Sequence, residues 1–132
     1  MKILARLSLL LLALGLRAEQ APAHTDLTVA IDAPTPAFTL RIVRVDRKGD
    51  EVAVLAEVQR IPADMVMQVI TPLSARARIE GTAPRVRKYL LGQTWNWDNE
   101  GIQKVVDAAD YGRLTEGFES VPFQTVLPEN NK

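Results

Sequence analysis

Two runs rich in β-branched residues, 38–45 (FTLRIVRV) and 52–58 (VAVLAEV), flank the polar link Asp46-Arg47-Lys48-Gly49-Asp50-Glu51. No other feature of the chain constrains its fold as much. A short polar link with a glycine free to take positive φ joins two strands as a hairpin. Pairing Val45 with Val52 and Val43 with Val54 gathers one apolar set, and Ile42 then meets Leu55 on the opposite face. A sheet lying on a surface would need one apolar face; this hairpin has two, so it is expected inside a layered structure.

The flanking segments carry related patterns. Leu27, Val29 and Ile31 alternate within 25–31 and predict a first or edge strand that ends at Pro34 and Pro36. Residues 64–70 read as a short strand with Met65, Met67 and Val69 on one face, closed by Thr71-Pro72. Residues 75–80 and 85–91 surround Gly81-Thr82-Ala83-Pro84 and read as a second hairpin. The TWNWDNEG section at 94–101 reads as a loop or strand end. Ile102, Val105, Val106 and Ala109 recur at helical spacing, which predicts one short amphipathic helix with Asp98 or Asn99 as cap and Gly112 as stop. Residues 121–127 add a last strand. The expected fold is mainly β: a small antiparallel β-sandwich-like or bent-sheet domain with one short C-terminal α-helix.

The first 23 residues have a different character. Lys2 and Arg6 precede an apolar stretch from Leu7 to Leu16, and Ala21-Pro22-Ala23 places small residues at minus three and minus one of a cleavage site, the pattern of a secretory signal. A site after Ala18 would put Leu16 at minus three, so cleavage after Ala23 is expected. The apolar stretch is too short to span a bilayer, which takes about 20 residues. A single β-rich domain at 24–132, periplasmic or secreted, is therefore expected, with no membrane span in the mature chain. Removing the leader takes away eight leucines and leaves 8 Leu against 13 Val and 6 Ile, a balance that favours strands. Lys2, Arg6 and Arg17 leave with Glu19, so 13 basic face 15 acidic residues, and a mildly acidic domain gives no case for nucleic-acid binding.

Composition also narrows the chemistry. With no cysteine there are no disulfides, zinc-thiolate sites or thiol nucleophiles, and a catalytic triad or multi-histidine metal site would rest on His24 alone. As the mature N-terminus, His24 could chelate copper with the soft ligands Met65 and Met67, but the ligand count falls short. Asp98 and Glu100 are too few for a carboxylate-pair glycosidase. No cofactor is expected, and the chain reads as a non-enzyme.

Two surface constellations remain. In the predicted second hairpin, Glu80 faces Arg85, Arg78 faces Arg87 and Arg76 faces Tyr89, all on one side. Arginines opposed in this way cost stability and suit a carboxylate or phosphate. Alternatively they form a solvated sheet face and reach acidic residues elsewhere. Trp95 and Trp97, two apart, would share a face and could anchor a protein or stack on a sugar, unless they cap the core beneath the helix. The candidate partner- or ligand-binding residues are thus Arg76, Arg78, Arg85, Arg87, Tyr89, Trp95 and Trp97.

Residues 34–42 (PTPAFTLRI), the hairpin to Val58, Pro62, and Met67-Gln68-Val69-Ile70-Thr71-Pro72 resemble the C-terminal domain of PrcB-like protease-complex subunits. In that family a proline-led turn and an aromatic residue open a β-hairpin and a QVxTxP-like strand follows. The resemblance covers residues 34–80. It implies a small extracytoplasmic β domain acting beside a protease or another large partner, and it carries no catalytic residue onto this chain. The expected function is binding of a protein partner, protease-associated or inhibitory. The alternative is a binder of small anionic or saccharide ligands at an arginine and tryptophan surface.

Overall fold

A computed structural model describes residues 23–92, 95 and 101–127. Residues 1–22, all but the last of the predicted leader, lie outside them, as do Trp97, Asp98, Asn99 and Glu100. The described chain is mainly β, with two sheets and one short helix. Strands β1 (His24–Ala33), β2 (Phe38–Lys48), β3 (Glu51–Arg60), β4 (Thr71–Glu80), β5 (Arg85–Gly92) and β6 (Ile102–Val105) precede helix α1 (Ala108–Leu114), and β7 (Glu119–Ser120) and β8 (Gln124–Thr125) follow it. One sheet has the order β1-β4-β8 and the other β6-β5-β3-β2-β7.

The apolar two-faced hairpin lies where its pattern demands. Val52, Val54, Ala56 and Val58 of β3 join Leu27, Val29, Ile31, Ala77 and Ile79 of the smaller sheet in the main core. On the reverse face, Ala53 and Leu55 pack with Tyr89, Val105 and Tyr111 of α1. The domain therefore has three layers: small sheet, large sheet and helix. The register differs from the sequence expectation. Lys48 pairs with Glu51, so the turn is the two residues Gly49-Asp50, and Val45 faces Val54 while Arg47 faces Val52. Gly49 has φ 59, as the first central position of a type II′ turn requires. The ladder shifts between Ile42, opposite Ala56, and Arg44, opposite Leu55, so Val43 is bulged.

The second predicted hairpin does not form. β4 leaves the large sheet and pairs antiparallel with β1, whereas β5 returns to lie parallel to β3, with Val52 opposite Val86 and Leu55 opposite Tyr89. The Gly81 to Pro84 link is a crossover between sheets. Arg47 holds it: its guanidinium donates to the carbonyl oxygens of Thr82 and, at 3.5 Å, Glu80, while its Nε bonds Gly49 O at 3.0 Å. The Arg85 N–H donates to Asp50 O at 3.3 Å and starts β5 beside the hairpin turn.

Three further expectations change. Residues 64–70 form no strand, because no partner strand runs beside them. Residues 102–105 belong to β6, parallel to β5, and the helix begins six residues later at Ala108. Its cap is Asp107, whose side chain accepts from Asp110 N, while Asp110 in turn accepts from Val106 N; Gly112 lies inside the helix and Thr115 closes it. The final strand is split. β7 pairs with β2 and β8 with β4, and Val121 N–H to Val45 O (2.8 Å) and Val126 N–H to Arg76 O (3.0 Å) carry the ribbon from one sheet edge to the other.

Candidate functional site

The topology scatters the predicted arginine face. Arg76 and Arg78 stand on the outer face of the small sheet, opposite Thr28 and Asp26, while Arg85 and Arg87 lie on β5 of the other sheet. Arg78 does not meet Arg87. Its Nε and Nη2 bond the two Asp26 oxygens at 2.8 and 3.2 Å, a bidentate pair. Arg87 pairs with Glu51 and lies over the Phe118 ring. The apparent like-charge conflict was a product of the wrong strand pairing, and each of these two arginines has an acidic neighbour. Tyr89 is buried on the helix side, edge to face with Tyr111 at 5.4 Å, so it is core and not part of a surface.

Trp95 is half-buried. Its ring meets Phe38 edge to face at 5.0 Å and packs on the core between the sheets, not beneath the helix, and its carbonyl accepts from Lys104 Nζ at 2.7 Å. Of these residues the structure joins Tyr89 to Arg87, whose guanidinium hydrogen-bonds the Tyr89 side chain, while Trp95 packs on Phe38. A cleft of about 370 Å³ does lie at one end of the small sheet, lined by His24, Arg78, Glu80, Phe123 and Gln124 among others. Its one guanidinium is the group that Asp26 already engages. Among the described residues, no cluster of three or more His, Asp or Glu side chains is placed to hold a metal ion.

One polar cluster is built on a buried carboxylate, that of Asp46. Arg44 and Asp46, two apart after the bulge, share the helix side of β2, where Arg44 Nε reaches the Asp46 oxygens at 2.9 and 3.1 Å. The Tyr111 hydroxyl donates to Asp46 Oδ2 at 2.5 Å, and the guanidinium lies 5.9 Å from the Tyr111 ring centre. Burial, and then the hydrogen bond to Asp46, push the Tyr111 phenol well above its ordinary value, so it stays neutral. Both Asp46 oxygens are engaged within the protein. The cluster ties α1 to the sheet and offers no carboxylate for chemistry.

The feature with the clearest external meaning is segment 61–70 (IPADMVMQVI), which connects β3 of the large sheet to β4 of the small one. Met65 is 93% exposed, Met67 74% and Ile70 66%, with Ile61 and Val69 also exposed. Asp64 is its one charge. The chain bends at Asp64 and Met65, and Val66 is half-buried between the two outward methionines. The ends are fastened: Ile61 N–H donates to Ala37 O at 2.8 Å, and the Thr71 hydroxyl to Val69 O at 3.0 Å. The alternation that predicted a strand here reports an exposed strap, and Met65 and Met67, placed by that alternation on one face of a strand, stand in solvent. Elsewhere Val86, Val106 and Leu127 are exposed singly, which is ordinary for a soluble surface.

No helix among the described residues is long and apolar enough to cross a membrane. No family model, curated protein or solved structure matches the chain.

Proposed function

We propose that the protein is an exported, non-enzymatic binding module whose 61–70 strap engages a protein partner, in a protease-associated or inhibitory role. The observation that carries this reading is the concentration of exposed Met65, Met67, Val69 and Ile70 on one fastened connection. Exposed apolar surface costs free energy of hydration unless a partner covers it. Methionine suits such a contact, because its unbranched, polarizable side chain fits pockets of varied shape. A knob at the apex of a bend, held at both ends, loses little conformational entropy on docking. The leader-like residues 1–23 support export, and the resemblance over residues 34–80 supports a large protease complex as the neighbour.

The reading is tested with immobilised protein in extracytoplasmic extract, comparing wild type with Met65→Asp/Met67→Asp. A partner retained by the first and lost by the second, with unchanged circular dichroism, is the expected result. Arg78→Glu/Arg87→Glu should retain that partner. Equal recovery of every protein by wild type and the methionine variant would sink the role of the strap. Adding purified protein to the peptidase activity of the same extract then reads the inhibitory element directly.

A further inference from the structure

The sulfur of this chain is concentrated on the strap. Met1 apart, Met65 and Met67 are the only methionines, and there is no cysteine. Both stand in solvent on segment 61–70, one on each side of the half-buried Val66. Neither belongs to a core cluster. The strap is fastened by main-chain and hydroxyl groups: Ile61 N–H to Ala37 O, Val69 N–H to Met67 O at 3.0 Å, and the Thr71 hydroxyl to Val69 O. These bonds involve no thioether, so a chemical change at either sulfur leaves them intact.

An exposed thioether reacts with hydroperoxides. A sulfur lone pair attacks the peroxide, the O–O bond breaks and an S–O bond forms; the other oxygen leaves with the peroxide protons as water or an alcohol. Sulfur gives up two electrons and the peroxide takes them. The reverse step uses a dithiol: the sulfoxide oxygen departs as water and the dithiol closes to a disulfide. The product is a polar, chiral side chain with a strong acceptor oxygen. In water that oxygen is solvated at once. In the apolar pocket of a partner it is buried without a donor, which opposes docking.

On the reading that the strap docks a protein partner, we propose that Met65 and Met67 are a reversible oxidation site whose sulfoxides release that partner. Reduced, the two side chains are unbranched apolar knobs; oxidised, each is a polar group that the same pocket rejects. The free protein is the form that reacts, since a docked partner covers both sulfurs. The fold takes no part, because both cores and all the fastening bonds lie elsewhere. Leucine would supply similar apolar volume with no sulfur, so a pair of exposed methionines carries a chemistry that packing does not require. An exported chain also lies beyond the thiol pool that keeps the cytosol reducing, where oxidants persist.

The test treats purified protein with hydrogen peroxide, removes the oxidant and follows oxygen uptake by peptide mass mapping. One oxygen is expected on each of Met65 and Met67, with an unchanged urea midpoint. The treated protein is then immobilised beside untreated wild type and Met65→Leu/Met67→Leu, and all are exposed to the extracytoplasmic extract. Untreated wild type and the leucine variant should retain the same partner, and oxidised wild type at least about tenfold less of it. Methionine sulfoxide reductases with dithiothreitol should restore retention. Peroxide should not change retention by the leucine variant, which places the effect on the two sulfurs. Equal retention by oxidised and untreated wild type overturns the switch and leaves the strap reading in place. So does a chain that takes up no oxygen at these residues, one that unfolds on oxidation, or a loss that the reductases cannot reverse. Untreated wild type that retains no partner beyond those held by Met65→Asp/Met67→Asp overturns the strap reading itself, and the switch with it.

Discussion

The Tyr111 hydroxyl and Asp46 Oδ2, 65 residues apart in sequence, meet at 2.5 Å in the layer between α1 and the large sheet. A seven-residue helix has little stability of its own. This bond, with the Tyr111 ring against Tyr89 and beneath Arg44, fastens it. Tyr111→Phe keeps the ring and leaves the buried carboxylate one donor short, so it should cost about 1–3 kcal/mol in urea denaturation. The phenol also sets a pH dependence. Its folded value is raised above the ordinary 10.0, so unfolded chains lose this proton at a pH where folded ones retain it. Its contribution is complete below about pH 10 and declines as pH rises further, by up to about 1.4 kcal/mol per pH unit. Tyr111→Phe should show a shallower loss of stability above pH 10 than wild type, and parallel curves would refute this account.

Arg47 makes its contribution through three carbonyls, those of Gly49, Glu80 and Thr82, which join the hairpin turn to the crossover between sheets. Arg47→Met keeps the aliphatic stem and removes the donors. We expect a loss of about 1–2 kcal/mol by thermal or urea unfolding. Arg47→Lys should recover only part of it, because an ammonium cannot reproduce the planar fork that reaches several carbonyls at once. Full recovery by lysine would mean that charge, not geometry, holds the crossover.

The crossover also explains where sequence reasoning stopped. The β2-β3 hairpin and β1 were legible because their signals are local: alternation, a glycine turn and flanking prolines. Gly81 to Pro84 has the same turn chemistry, but whether a chain reverses within one sheet or passes to the next depends on groups far away, here Arg47 and the β1 edge. Arg78 could not be paired with Asp26, 52 residues distant, without knowing that choice. Residues 64–70 alternate as a strand would, yet a strand requires a partner, which alternation does not supply. At 102–109 the helical spacing coincided with a short parallel strand followed by a cap. The Asp107 to Asp110 spacing was the better signal, since the two side chains bond backbone N–H groups at the helix start. The Val43 bulge, which brings Arg44 and Asp46 to the helix side, left no mark in the hydrophobic pattern.

Gly92 ends β5 with φ 106, and a Cβ there would lie 2.5 Å from the Val58 carbonyl oxygen. Neither the backbone angle nor the contact can relax without moving β3, the most buried strand. Gly92→Ala should therefore destabilise the domain by about 3 kcal/mol or more. Gly49→Ala provides the comparison: φ is 59 and no atom lies within 4 Å of the added Cβ, so only the left-handed backbone is penalised, by about 1–2 kcal/mol. Equal effects of the two substitutions, measured by urea midpoint, would contradict the close approach of β5 to β3.

Asp26 and Arg78 provide the last test, and it bears on whether the arginines form a ligand site. The Arg78 hydrogen bond, only partly opposed by desolvation, holds the Asp26 carboxyl below its ordinary value of 3.8. A lowered carboxylate value contributes stability above the unfolded value, and that contribution is lost as pH falls through the folded one. Carboxyl carbon shifts followed through an acid titration should give Asp26 a midpoint below 3.8, and Arg78→Gln should raise it. The wild-type protein decides the role of the guanidinium. If Arg78 serves Asp26, inorganic phosphate at neutral pH leaves the Arg78 Nε–H resonance in place, because a free anion must displace a bidentate partner fixed by strand pairing. Displacement of that resonance at low phosphate, with an upward shift of the Asp26 midpoint, would make the cleft beside His24 and Glu80 an anion site and the ion pair its closed form.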